Sequence, residues 1–168
     1  QQEDDANVKL ADIAGIFREW TVTCKGVKEN LVKSNRTCTR FTTDGMNKIL
    51  PDLPGTPSGW NTDNHYFYEI VNRTGNSAYI QFVISSRNAT EEFLALCDRI
   101  NGFYPAKFHK EDWKWRTHFR TATFLFGDSL SREEIFEKLD RCLEEIQRFE
   151  TDLQEKLGEQ LEKGVLDK

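Results

Sequence analysis

Apolar residues recur along this chain in two rhythms. Over residues 8–20, "VKLADIAGIFREW", Leu10, Ile13, Phe17 and Trp20 fall three or four apart, the spacing of one helix face, and a helix is predicted there with Gly15 as its weak point. "RTCTRF" at 36–41 alternates and is rich in threonine, which predicts a strand. "TTDGMNKIL" at 42–50 opens on capping residues and stops at Pro51, a short helix. "HYFYEIV" and "AYIQFVIS" flank the turn sequence "NRTGNS" and predict a hairpin. Tyr66, Tyr68 and Ile70 share one face of its first strand, with His65, Phe67, Glu69 and Val71 opposite; Ile80, Phe82 and Ile84 oppose Tyr79, Gln81 and Val83 on the second. Both faces carry bulk, so the hairpin belongs near the centre of a sheet.

Helical spacing returns in "NATEEFLALCDRINGFY", 88–104, with Phe93, Leu96, Cys97 and Ile100 as the inner stripe. Asn88 or Thr90 caps it, Glu91 and Glu92 suit the positive end of the helix dipole, and Gly102 and Pro105 mark its end. From Ser131 onward a capping box with Glu134 opens a helix of about 30 residues, with Ile135, Leu139, Cys142, Ile146, Phe149, Leu153 and Leu157 on one stripe. That length exceeds what one small domain covers, so its far end is expected to project or to meet a partner helix, in a homo-oligomer or otherwise. Residues 21–34 carry no clear pattern. The order of elements predicts a single α+β domain over 1–168: a mostly antiparallel sheet of about four or five strands, helices mainly on one face, and the long C-terminal helix. Residues 1–7 are expected to be disordered, and 158–168 to project or fray.

Composition adds limits. The 168 residues, 38% hydrophobic and 12% aromatic, suffice for one domain with a real core. No run approaches the roughly 20 apolar residues of a membrane span, so no membrane partner is expected. "QQEDDANVKL" is acidic and polar, unlike a signal peptide; the expected compartment is the cytoplasm, and the Asn-x-Thr sequons at Asn35, Asn72 and Asn88 are read as incidental. Cys24, Cys38, Cys97 and Cys142 form no Cys-x-x-Cys pair, which argues against structural zinc; Cys97 and Cys142 read as small core residues.

The net charge of −5 conceals a local excess of the opposite sign. Residues 131–168 carry twelve acidic and seven basic side chains, whereas in residues 104–120 Lys107, Lys110, Lys114, Arg116 and Arg120 face only Glu111 and Asp112. Within "KEDWKWRTHFRTATFLF", 110–126, an extended backbone places Lys114, Arg116, His118 and Arg120 on one face and Trp113, Trp115, Thr117 and Phe119 on the other. Cationic groups about 6.6–6.8 Å apart can track a nucleic-acid backbone loosely; the other readings are an edge or outer strand solvated on its charged face and buried on the other, and a surface for a protein partner. The tryptophans then serve as core, or as stacking platforms if the sheet is open on that side. Trp60 stands in the proline- and glycine-rich loop 51–64 and calls for a pocket or a ligand; Ser58–His65 is a second candidate contact.

Catalytic motifs are sparse. There is no P-loop, no Gly-x-Ser-x-Gly elbow and no His-Glu-x-x-His, and neither a cofactor nor a metal is expected. A metal-dependent nuclease needs an acidic residue on one strand and Glu-x-Lys or Asp-x-Lys on the next. Here Gln81 and Val83 occupy the relevant strand, Glu69 stands alone beside it, and Asp112 with Lys114 reads as a surface cluster.

"RFTTDGMNKILPDLP", "SGWNTDNHYFYEIVNR", "LCDRINGFYP", "DWKWRTHFRT" and "SREEIFEKLDRCLEEIQRFE" resemble the C-terminal portion of bacterial PD-(D/E)XK nuclease-superfamily proteins of the restriction and phage-defence type. The likeness covers most of residues 36–155 and carries no catalytic signature. It implies a non-catalytic accessory domain, for target recognition or oligomerisation, with the cleaving module elsewhere. The alternative is a nuclease-like fold with a diverged site. The residues expected to contact DNA or RNA are Lys107, Lys110, Lys114, Arg116, His118, Arg120 and Trp60.

Overall fold

In the computed structural model, residues 2–72, 74–107, 113–127 and 130–166 are described, with side chains from residue 12 to residue 159. The element order is α1 (Gln2–Thr23), β1 (Val27–Glu29), β2 (Cys38–Thr43), α2 (Asp44–Ile49), β3 (Tyr66–Val71), β4 (Ser77–Ser85), α3 (Glu91–Phe103), β5 (Trp115–Arg120), β6 (Phe124–Leu125) and α4 (Arg132–Leu166). The strands form one antiparallel sheet in the order β1-β2-β3-β4-β5, and β6 pairs the start of β4. This is the expected α+β architecture. The hairpin is central, as its two bulky faces required: all six residues of β3 are buried.

Local chemistry sets most boundaries. Thr43 caps α2 by accepting from Met46 N–H at 3.1 Å, and Thr90 caps α3 by accepting from Phe93 N–H at 3.1 Å. Ser131 and Glu134 form the reciprocal capping box of α4, with Glu134 N–H donating to Ser131 Oγ at 3.1 Å and Ser131 N–H to Glu134 Oε1 at 3.4 Å. The patternless segment 21–34 supplies β1, too short to show alternation, and a 3-10 turn at Leu31–Lys33.

The helices cover one face of the sheet. Phe41, Tyr66, Tyr68, Ile70, Ile80, Phe82 and Ile84 point into a cluster shared with Phe17 and Trp20 of α1 and Phe93, Cys97 and Ile100 of α3. The whole predicted stripe of α4, from Ile135 to Leu157, closes the same cluster. The stripe of α4 is therefore filled inside the chain as far as Leu157, which leaves only the helix end beyond it for the expected projection or partner helix. Cys97 and Cys142 are buried thiols, as expected, and all four cysteines are free.

One carboxylate enters this core. Glu150 of α4 is 7% exposed; its Oε2 accepts from Tyr68 OH at 2.7 Å and from Thr43 Oγ1 at 2.5 Å. Gly45 lies so close that a Cβ there would sit 2.5 Å from Glu150 Oε1. Burial pushes the Glu150 carboxyl above its usual range against the lowering effect of these hydrogen bonds. The folded chain then holds this proton more tightly than the unfolded chain. Its contribution to stability falls as pH rises from 4.5 toward the raised value. Glu150→Gln removes that term while keeping an acceptor for Tyr68 and Thr43. The change in urea midpoint on going from pH 5 to pH 7.5 is expected to be more positive in the variant than in the parent.

Candidate nucleic-acid interface

Strand β5 carries the sequence that first suggested a polyanion-binding face, and it is an edge strand, paired to β4 alone. Its register is irregular. Ile84 pairs with Arg116 and Val83 with Thr117, but Phe82 pairs with Phe119, so His118 is an extra residue. A bulge of this kind interrupts the alternation of side chains. Arg116 lies opposite the core residue Ile84, and Phe119 opposite the core residue Phe82, both on the helix-covered face. Arg120 pairs with Gln81 on the other face.

The expected common face of Lys114, Arg116, His118 and Arg120 therefore does not form. Arg116 is 3% exposed, its NH1 is 3.1 Å from Asp98 Oδ1, and its guanidinium lies 4.1 Å over the Trp113 ring. It ties the start of β5 to α3. His118 is also buried, with Nδ1 2.8 Å from the Tyr104 carbonyl, so the ring donates there through Nδ1–H. Burial pushes its pKa down to about 4, and the neighbouring Arg116 adds to that, which leaves the ring neutral at pH 7. Neither residue offers a charge to a phosphate. Lys110, with His109, Glu111 and Asp112, lies outside the described residues.

What remains exposed gathers at the two ends of β5. At its start, Lys114 and Trp115 line a cleft of about 410 Å³ with Gly59 and the turn Ser85–Ser86–Arg87. Lys114 and Arg87 are exposed. At its end, Arg120 and Lys107 line a groove of about 330 Å³ with Pro105, Thr117, His118 and Phe119. Arg120 is held 4.2 Å over the Tyr79 ring, and its NH2 is 3.5 Å from Gln81 Oε1. Among the described residues, no carboxylate pairs with Arg87, Lys107, Lys114 or Arg120. Arg87 came to light only in three dimensions, because the β4–α3 turn is remote in sequence from β5.

Trp60 finds its pocket within the chain: its ring packs 4.8 Å from Phe67 and 4.6 Å from Trp115, both edge-on. The loop 51–64 that carries it is closed by Leu53 N–H to Asp63 O, by Ser58 N–H to Thr62 O, and by Gly59 N–H to Ser85 Oγ at 2.9 Å. His65 Nε2 lies 2.7 Å from the Thr56 carbonyl and pins the loop from beneath. Trp60 thus acts through Trp115, as its backing.

The acidic residue considered for metal chemistry is engaged. Glu69 accepts from Arg40 Nε at 2.7 Å on one oxygen and from Gln81 Nε2 at 2.8 Å on the other. Among the described residues, no three His, Cys, Asp or Glu side chains converge into a metal-binding group.

Fold and site together define an α+β structure with two basic clefts flanking an edge strand. Comparison with family models, with curated proteins and with solved structures gives no match.

The two arginines of β5 have opposite roles in this arrangement, and stability measurements separate them. Arg116→Ala removes a buried guanidinium, its ion pair with the exposed Asp98 and the cation–π contact with Trp113, and is expected to cost about 1–3 kcal/mol in urea unfolding. Arg120→Ala, on the exposed face, is expected to stay within about 0.5 kcal/mol of the parent.

Proposed function

We propose that this domain binds nucleic acid, DNA or RNA, along strand β5. The carrying observation is the set of four exposed cations, Arg87, Lys107, Lys114 and Arg120, that border β5 at both ends without a carboxylate partner among the described residues. Surface cations on a soluble domain are ordinarily interleaved with acidic groups, and a cluster that lacks them produces a local positive potential. The domain is acidic overall, at −5, so this potential belongs to the site and not to the molecule as a whole.

The geometry suits a backbone. The two clefts are separated by the length of β5, about 17 Å at the rise of an extended strand, which spans a few nucleotides. Thr117 and the indole of Trp115 lie between and beside them. Phosphates would meet the cations at either end, and an aromatic ring is available to a base. In this reading the domain is non-catalytic, the target-recognition part of a PD-(D/E)XK-type protein of which the quoted stretches are reminiscent. Arg116 and His118 then support β5 and touch no ligand.

Binding should weaken steeply with salt. On a plot of log affinity against log salt concentration, each of Arg87→Ala, Lys107→Ala, Lys114→Ala and Arg120→Ala should reduce the slope by about 0.7–0.9. Anisotropy titrations at several salt concentrations give that slope directly. A quadruple variant that binds as tightly as the parent at low salt removes this reading.

A further inference from the structure

The cleft at the start of β5 has features that a phosphate-binding groove alone does not require. Trp115 is 45% exposed, a large apolar ring in solvent at the rim of a recess. It is nevertheless held firmly from one side. A Cβ at Gly59 would lie 2.4 Å from its Cη2 and 2.6 Å from its Cζ2, so the ring rests on bare backbone, and Trp60 braces it edge-on. Gly59 itself is fixed by its N–H to Ser85 Oγ. The ring is therefore immobilised where a free side chain would fold down to hide its surface.

Two further facts narrow what the recess takes. Its hydroxyls are already engaged: Ser85 Oγ accepts from Gly59 N–H at 2.9 Å, and Ser86 Oγ donates to the Trp113 carbonyl at 2.5 Å. The remaining chemistry is one indole and the two cations Arg87 and Lys114. An aromatic wall with adjacent positive charge and no fixed hydrogen-bond reader suits a planar π-system that carries an anion. The volume, about 410 Å³, is in the range of small-ligand sites.

Resting on the nucleic-acid reading above, we propose that this cleft holds one unpaired base, stacked on Trp115, with its flanking phosphates on Arg87 and Lys114, so that the domain selects single-stranded over duplex nucleic acid with little preference among bases. In a duplex both faces of each base are covered by neighbours, and no base can enter a recess without leaving the stack. An unpaired base presents a free face at no such cost. Stacking is sequence-tolerant because every base has a π-face.

The test compares a labelled oligothymidine with a blunt hairpin duplex of equal phosphate count, by anisotropy at one low salt concentration. The parent is expected to bind the single strand about 5- to 150-fold more tightly, the ratio expected for one stacked base. Trp115→Ala should bring single-strand affinity down to the duplex level without changing the salt slope, and Trp115→Phe should retain most of the preference. Gly59→Ala, which drives a methyl group into the ring, should act in the same direction as Trp115→Ala. Oligothymidine should also quench the tryptophan emission of the unaltered protein, a readout that needs no variant. Equal affinity for the two probes, or a preference that survives Trp115→Ala, overturns the proposal while leaving the phosphate-binding reading intact. A polyglutamate peptide that competes as well as the oligonucleotide also overturns it. Absence of binding to either probe removes both.

Discussion

The stack of Phe119 on Phe149 governs this structure. The two rings lie 4.3 Å apart and nearly parallel, at 5°, and join the edge strand β5 to the middle of α4. Strict alternation from Trp115 would turn Phe119 toward the opposite face of the sheet. The bulge at His118 reverses the alternation and brings Phe119 under the helix, beside Phe82. Packing one more half-buried aromatic ring against the core offsets one interrupted ladder position. Beyond the bulge Arg120 is left outside over Tyr79, whereas Arg116, before it, already faces the helices opposite Ile84, against Asp98 and Trp113, and His118 is buried and neutral.

Internal partners explain why a strand rich in charge is compatible with a well-packed edge. Its buried guanidinium has a carboxylate and an indole for company, and its buried imidazole has a carbonyl. The opposite face of the sheet solves a similar problem in the row Arg40–Glu69–Gln81–Arg120, in which each side chain hydrogen-bonds to the next across four strands. Glu69 is neutralised there by Arg40, so the surplus positive charge of the row falls on Arg120 at the open edge. The exposed cations are thus what is left after the internal pairs have formed.

The core contains a second polar junction at Glu150, where one carboxylate receives hydroxyls from β2 and β3. It links α4 to the sheet next to Gly45 in α2, where a side chain would displace the Glu150 carboxylate. Together with the contact between Trp20 Nε1 and Asp140 at 2.9 Å, it sets α4 at a definite height across the sheet, which apolar packing alone leaves free to slide. The position of Phe149, and through it the bulge in β5, depends on that placement.

Much of this was legible along the chain. The α4 stripe, the caps at Thr43, Thr90 and Ser131, the central hairpin and the antiparallel α+β class all follow from spacing and from residues that act on their immediate neighbours. The short strand β1 escaped, because three residues cannot display a period. The candidate site was legible only in part: Lys107, Lys114, Arg120 and Trp60 lie at or behind the clefts, His118 reaches one of them only as a buried, neutral wall, Arg116 is turned into the core, and Arg87 stands outside the sequence pattern. Local sequence determined which elements form and which of their faces are apolar, since helix period, strand period and capping act within a few residues. Only the tertiary structure decided which side of β5 each charge occupies, because that depends on how β5 pairs with β4 and on the bulge that brings Phe119 to Phe149, thirty residues further along the chain.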